Sequence, residues 1–173
     1  MRLTRTFILT IAVAAAIFGI AKAQDGNVQP LKVTISAARE EVKVGEEVRI
    51  HVVLTNVSEQ TITVLRSPSQ EQAEEHYTVR VYDKSGKDAT ETKYGHAAGS
   101  YRFGGSEIVK PLAPGETMAE DTILSKQFDL TAPGEYQIQV SRPVSENPKD
   151  GVVQSNKIII TVLPPDPPTG EPK

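Results

Sequence analysis

The chain contains no cysteine and no tryptophan, and it has only three histidines among 173 residues. Without cysteine it can form neither a disulfide nor a thiol nucleophile, and no lipid can be attached through a cysteine side chain. The fold must therefore be stabilised by its apolar core alone. A domain of about 150 residues buries about 68–70% of the surface of its unfolded chain, which makes this possible.

The chain also lacks a hydrophobic run long enough to span a membrane, which takes about 20 apolar residues. Its longest run, Phe7 to Ile20, follows Arg2 and Arg5 and precedes Ala21-Lys22-Ala23. A basic start, an apolar stretch and an A-x-A site are typical of a secretory signal. We therefore expect residues 1–23 to be a signal peptide that is cleaved after Ala23, with a retained anchor as the less favoured alternative. The mature protein is expected to be periplasmic or secreted, with no stable membrane anchor.

No cluster of basic residues is present, and acidic residues outnumber basic ones by 22 to 19. Signal cleavage removes three basic residues and no acidic one, so the net charge falls from −3 to −6. Such a charge favours solubility and disfavours binding to nucleic acid or to anionic lipid. We expect no nucleic-acid partner.

Apolar and polar residues alternate along most of the mature chain, whereas helical periodicity is nearly absent. Turns rich in Pro, Gly and Asp separate the alternating runs, which is the pattern of a β-sandwich or barrel. The predicted fold is all-β: an immunoglobulin-like antiparallel β-sandwich of seven to nine strands over residues 24–163. The predicted core residues are Ile35, Val48, Ile50, Val52, Leu54, Val79, Val81, Ile138, Val140, Ile158 and Ile160.

Three stretches do not show this alternation of apolar and polar residues. Residues 164–173 form a Pro-rich tail that cannot pair in a sheet, because five of its ten positions are proline. We expect it to be flexible. Residues 69–75 are the only helix candidate, but they are polar and short, and we interpret them as a loop. Residues 88–107 are interpreted as a second, longer loop.

The segment from Asp129 to Tyr136, with the sequence DLTAPGEY, resembles the tyrosine corner of immunoglobulin-like domains. The resemblance implies that Tyr136 hydrogen-bonds upstream backbone and that Gly134 permits the tight turn. Ile138 occupies the position where antibody-type domains have a cysteine, and no tryptophan fills their core site. These departures favour the cysteine-free bacterial immunoglobulin-like domains.

A wider resemblance extends over residues 46–142. The order of Leu54-Thr-Asn56, the strand ending at Asp83, and the turn Leu112-Ala-Pro-Gly-Glu116 is similar to the intracellular proteinase inhibitor (BsuPI-like) domains. That similarity implies the same fold class and, as a minority hypothesis, inhibition of a proteinase. The family name describes intracellular members, whereas we expect this chain to be exported.

No catalytic, metal-binding or cofactor-binding signature is found, and we expect a protein that is not an enzyme. The closest approach to a nucleophile elbow, Gly104 to Ile108, lacks the final glycine of G-x-S-x-G. His51, His76 and His96 lie on different predicted elements, and His76 beside two glutamates is too small a group for zinc. Asn56-Val57-Ser58 matches a glycosylation sequon, although a turn alone explains an asparagine there.

Candidate binding residues lie in the 88–107 loop: Tyr94, His96, Tyr101 and Phe103. Aromatic residues dominate binding hot spots, so these rings can contact a protein or a carbohydrate. The competing interpretation is that they fold back as a cap over the open end of the core.

The sequence therefore favours an exported, non-enzymatic binding or structural module that uses a loop surface or a sheet edge, with a protein partner of unknown identity. One alternative is a proteinase inhibitor that uses residues 67–75 or 88–107. A carbohydrate-binding or metal-carrying periplasmic protein is the other.

Overall fold

The computed structural model describes residues 29–66, 76–100, 108–145 and 147–167. These residues form nine β-strands, two short α-helices and a 3₁₀ turn at Pro148–Asp150. In chain order the elements are β1 (Leu31–Ala37), β2 (Glu41–Lys43), β3 (Arg49–Asn56), β4 (Ile62–Arg66), β5 (Thr78–Asp83), α1 (Lys93–Ser100), β6 (Ile108–Leu112), β7 (Thr117–Ile123), α2 (Leu124–Gln127), β8 (Gly134–Pro143) and β9 (Val152–Leu163). The expected signal peptide (residues 1–23), residues 67–75 and the end of the tail lie outside the described residues.

Two main sheets build the molecule, with strand orders β1-β3-β7 and β2-β9-β8-β5, and β4 pairs with β6 in a two-stranded sheet. All pairings are antiparallel except the one between β2 and β9, which is parallel. The chain thus crosses from the first main sheet at β1 to the second at β2. The predicted immunoglobulin-like β-sandwich is confirmed.

The core lies between the inner faces of the two main sheets. Along β3, Ile50, Val52 and Leu54 point inward and are at most 1% exposed, while Ile138 and Val140 do the same on β8. Alternating apolar residues face one side of a strand, so each strand contributes one apolar face to the interior. Of the predicted core residues, only Val79 and Ile158 are partly rather than fully buried.

The absence of helical periodicity led to one error: the structure contains α1 inside the predicted 88–107 loop and α2 directly after β7. Both are short, and α1 carries two glycines. A helix of this length and composition is not stable by itself in water, so neighbouring contacts must hold it. Strand β6 was also missed, because its run is brief and contains Pro111.

Asn56 is a fully buried polar residue at the end of β3, with 0% exposure. Its amide nitrogen donates to the backbone oxygens of Gln60 (2.7 Å) and Leu112 (2.8 Å). Its amide oxygen accepts hydrogen bonds from the backbone nitrogen and the hydroxyl of Ser58. The side chain thereby joins β3, the following turn and β6, and it is not accessible for glycosylation in the folded protein.

The tyrosine-corner segment has the contact that the resemblance implied. The Tyr136 hydroxyl donates a hydrogen bond of 2.8 Å to the backbone oxygen of Ala132, four residues upstream. Gly134 has a φ of 153°, a value that residues with a side chain rarely adopt. Tyr136 and Gly134 are thus structural residues at the start of β8.

A break in register between β8 and β9 changes the direction in which the Asn156 side chain points. Gln139 pairs with Lys157, but Ser141 pairs with Gln154, so β9 carries an extra residue here. The Asn156 side chain accepts from the backbone nitrogen of Ile35 and donates to its oxygen, both at 2.9 Å. These bonds tie the outer edge of β1 to the opposite sheet.

The C-terminal boundary of the sandwich lies at the end of β9, at Leu163. Residues 164–167 are exposed and belong to no strand or helix. Asp166 nevertheless forms an ion pair of 2.6 Å with Lys43 on β2. The start of the Pro-rich tail is therefore held against the neighbouring strand.

Truncation of Ile50 to alanine is expected to lower the free energy of unfolding by about 2–5 kcal/mol, because it leaves a cavity at the centre of the core. The matched control is Ile159→Ala, since Ile159 is 56% exposed. Urea unfolding followed by circular dichroism measures both midpoints. Equal midpoints for the two variants would contradict this placement of the core.

Candidate functional site

An open groove of about 520 Å³ lies beside α1. Three segments line it: the turn between β2 and β3, the residues just before α1, and the segment that runs from the end of β7 through α2 to residue 131. Its lining residues are Gly45, Glu46, Glu47, Thr90, Glu91, Thr92, Ile123, Ser125, Lys126, Phe128, Asp129, Leu130 and Thr131. Because four carboxylates and one lysine line it, we call it the acidic groove.

Local hydrogen bonds keep two of these carboxylates ionised. Glu46 accepts a hydrogen bond of 2.9 Å from the backbone nitrogen of Lys43, which lowers the pKa of Glu46. Asp129 accepts one of 2.6 Å from the Thr131 hydroxyl, which likewise lowers the pKa of Asp129. Arginines outside the lining pair with two of the four carboxylates, Arg39 with Glu46 at 3.2 Å and Arg49 with Glu47 at 2.6 Å. The negative charge that remains, at Glu91 and Asp129, exceeds the single positive charge of Lys126 and favours a positively charged ligand.

Thr92 anchors the beginning of α1. Its backbone nitrogen donates to the oxygen of Gln127 at 2.8 Å, and its hydroxyl donates to the oxygen of Lys126. The same hydroxyl accepts a hydrogen bond of 3.1 Å from the backbone nitrogen of Gly95, as an N-cap residue does. Thr92 thus starts the helix and fastens it to α2.

Gly95 allows α1 to approach α2 closely. A Cβ atom at this position would lie 2.2 Å from the carbonyl oxygen of Gln127 and 2.9 Å from its carbonyl carbon. No side chain fits at such distances, and the obstacle is backbone that cannot swing away. Gly95 lowers the intrinsic stability of α1, but the absence of a side chain allows the helix to dock against α2.

The structure places two of the predicted binding residues on α1. Tyr94 is 41% exposed, so it does not act as a buried cap over the core. The side chain of His96 is 83% exposed, and its Nδ1 lies 3.6 Å from an oxygen of Glu91 in the acidic groove. Residues two apart on a helix point in different directions, so Tyr94 and His96 do not form one patch. Tyr101 and Phe103 lie outside the described residues.

The strand register brings together three residues that lie far apart in the sequence. Ser36, His51 and Asp121 lie directly opposite one another on β1, β3 and β7. His51 Nδ1 is 2.7 Å from Asp121 Oδ1, and this hydrogen bond lowers the pKa of Asp121. Among the hydrogen bonds of the described residues, none joins Ser36 to His51, and His51 is 48% exposed on the outer face of the sheet. The row lacks the nucleophile–base contact and the enclosed site that acyl transfer requires.

Within the described ranges, no group of three or more His, Asp or Glu side chains is arranged to hold a metal ion. None of the helices in the same ranges is long and apolar enough to cross a membrane.

Comparisons with known proteins find weak structural similarity. No protein-family model matches the chain, and no curated protein matches it. A crystal structure of the CARDB domain of a Pyrococcus furiosus protein, in complex with di-metal ions, is 18% identical, with a TM-score of 0.38; the match covers 77% of this chain and 87% of that one.

A Listeria innocua β-glucosidase in complex with isofagomine is 14% identical, with a TM-score of 0.42, and the match covers 76% of this chain but 16% of the enzyme. A β-glucosidase from Erythrobacter marinus is 13% identical, with a TM-score of 0.40 and coverage of 77% and 15%. This chain therefore corresponds in length to a small part of either enzyme.

Gly95→Ala is expected to destabilise the protein although alanine is the better helix former by about 1 kcal/mol. The added Cβ collides with the Gln127 backbone and pushes α1 away from α2. Hydrogen exchange at the amides of Thr92 and His96 should accelerate, since their hydrogen bonds depend on the docked helix. Lys93→Ala, at an exposed position of the same helix, serves as the control. A stabilised Gly95→Ala variant with unchanged exchange would show that the close approach is wrong.

Proposed function

We propose that the mature chain, residues 24–173, is an exported, non-enzymatic binding module that contacts a protein partner through α1 and the rim of the acidic groove. The observation that carries this proposal is the exposed Tyr94 on a helix that Thr92 and Gly95 fix to α2. An aromatic side chain on a fixed element loses little freedom when it is bound, so more of its contact energy appears as affinity.

Charge supports a partner with a basic surface. Glu91 and Asp129 in the acidic groove, together with a mature net charge of −6, attract cationic groups and raise the rate of encounter. Lys126 is the single basic residue in the groove lining. Binding through this surface should weaken with added salt, because the charges are close to solvent.

Proteinase inhibition is the alternative suggested by the resemblance to BsuPI-like domains. An inhibitory loop that occupies a protease cleft lies there in an extended form, as a substrate does. Residues 93–100 are helical, so this alternative depends on residues 67–75 or 101–107. A carbohydrate partner is a further alternative, for which Tyr94 offers the stacking ring.

The test is a pull-down from the native exported fraction with the mature chain as bait. We expect a partner to be retained by the parent and lost by Tyr94→Ala, as well as by the variant with alanine at Tyr94, Tyr101 and Phe103. The matched control is Tyr82→Ala, which removes a half-buried tyrosine on β5, away from α1. Circular dichroism establishes that each variant is folded.

The outcomes separate the candidate functions. A partner lost only when Tyr94 is replaced supports a binding module that acts through α1. Retention of that partner by all folded variants would contradict the proposed surface. If the captured protein is a protease whose activity falls on titration with the chain, the inhibitor alternative takes precedence, and retention on immobilised glycan alone would favour the carbohydrate alternative.

A further inference from the structure

The outer face of the main sheet β2-β9-β8-β5 carries side chains in three rows that run across its strands. The strand pairings place the members of each row directly opposite one another on neighbouring strands. We call the nine side chains of these rows the charged face: Arg80, Gln139 and Lys157; Tyr82, Gln137 and Ile159; Glu135, Thr161 and Glu41. None of the nine lines the acidic groove.

The first and the third row of the charged face carry opposite charges. Arg80 and Lys157 are exposed on one side of the middle row, whereas Glu135 and Glu41 are exposed on the other side. The two charged rows are four residues apart along the strands, which corresponds to about 13 Å. At that separation the positive and the negative side chains do not neutralise one another within the same chain.

None of these four charged side chains forms an ion pair among the residues that the structure describes. The two basic residues that flank Glu41 along the chain are already paired elsewhere. Arg39 contacts Glu46 at 3.2 Å, and Lys43 contacts Asp166 at 2.6 Å. The charged face therefore keeps both its positive and its negative row available for contacts outside this chain.

The middle row is uncharged and exposes apolar surface to solvent. Ile159 on β9 is 56% exposed, and Tyr82 on β5 is half-buried. Arg80 Nη1 donates a hydrogen bond of 3.2 Å to the Tyr82 hydroxyl, which holds the two side chains together on the face. An apolar centre with polar and charged side chains around it is the usual arrangement of a protein–protein interface.

The order of the charges selects the partner of this face. A ligand of one sign would be attracted by one row and repelled by the other, so the partner must present both signs at the same separation. The charged face has this arrangement itself. When two copies meet about a two-fold axis along the middle row, the positive row of each copy lies over the negative row of the other. Lys157 on β9 then lies between Glu41 and Glu135 of the second copy, because β9 lies between β2 and β8.

We propose that the charged face joins two copies of this chain in a symmetric, face-to-face dimer. The net charge of −6 on each mature chain opposes association at long range. Physiological salt screens that repulsion beyond about 8 Å, whereas the opposite charges across the interface are in contact. The dimer is independent of the partner bound through α1, since no residue of the charged face lies on α1 or lines the acidic groove.

Sedimentation equilibrium of the mature chain, at loading concentrations from about 1 μM to about 1 mM, measures the dissociation constant of the dimer. Lys157→Glu and Glu135→Lys each place like charges opposite one another, so each should raise the dissociation constant about tenfold or more. The control is Lys32→Glu, which makes the same change of charge at an exposed position of β1, on the other main sheet. It should change the dissociation constant about twofold at most, because it alters only the net charge. Circular dichroism establishes that each variant is folded.

Two features of these variants separate a local contact from general repulsion. Glu135→Lys changes the net charge of the mature chain from −6 to −4, so general repulsion predicts stronger association, whereas the proposed interface predicts weaker association. An equimolar mixture of Lys157→Glu and Glu135→Lys should restore the dimer. In the mixed pair, the two introduced charges face each other with opposite signs, and the native Lys157 of one copy faces the native Glu135 of the other.

A dimer of the parent chain that is weakened in both variants and restored in their mixture supports the proposal. Three results would overturn it: a parent chain that stays monomeric over the whole concentration range, a dimer that neither charge reversal weakens, or weakened variants whose mixture does not associate. The first result would leave the charged face to a different protein, and the second would assign the dimer to another surface of the chain.

Discussion

Apolar contact between the inner faces of the two main sheets is the interaction on which this structure depends. With no cysteine in the chain, no covalent link connects the sheets, so burial of residues such as Ile50 and Val140 must hold them together. Under this constraint, every polar group between the sheets must find a hydrogen-bond partner, since a buried group without one lowers the stability of the fold. The remaining features of the fold show how that requirement is met or left open.

Asn56 and Arg142 show two ways in which a polar side chain is buried between the sheets. Both amide atoms of Asn56 are fully used by nearby backbone and Ser58, so this residue stabilises the joint between β3 and β6. Arg142, at 5% exposure, donates one hydrogen bond to the backbone oxygen of Leu65 and lies 5.1 Å from the centre of the Tyr77 ring. Asn56 is thus held through both of its polar atoms, whereas Arg142 is held by a backbone hydrogen bond and an aromatic contact.

The strands and most of the core could be predicted because a period of two in the sequence is a local signal, as in β3 and β8. The docking of α1 against α2 could not be predicted, because it depends on the close approach of Gly95 to the backbone of Gln127, which is distant in the sequence. The alignment of Ser36, His51 and Asp121 could not be predicted either, because it required the strand register. Of the candidate site, the sequence indicated Tyr94 and His96 but not the groove beside them or the different directions in which they point.

The side chain of Asn156 has a consequence for the association of the protein with itself. By accepting from and donating to the backbone of Ile35, it makes the two bonds that a further strand would make at that point of β1. Exposed edge strands recruit other chains and seed aggregates. The Asn156 amide, placed by the irregularity in β9, thus occupies the backbone groups of Ile35 that an added strand would use, and it opposes fibre formation along this edge.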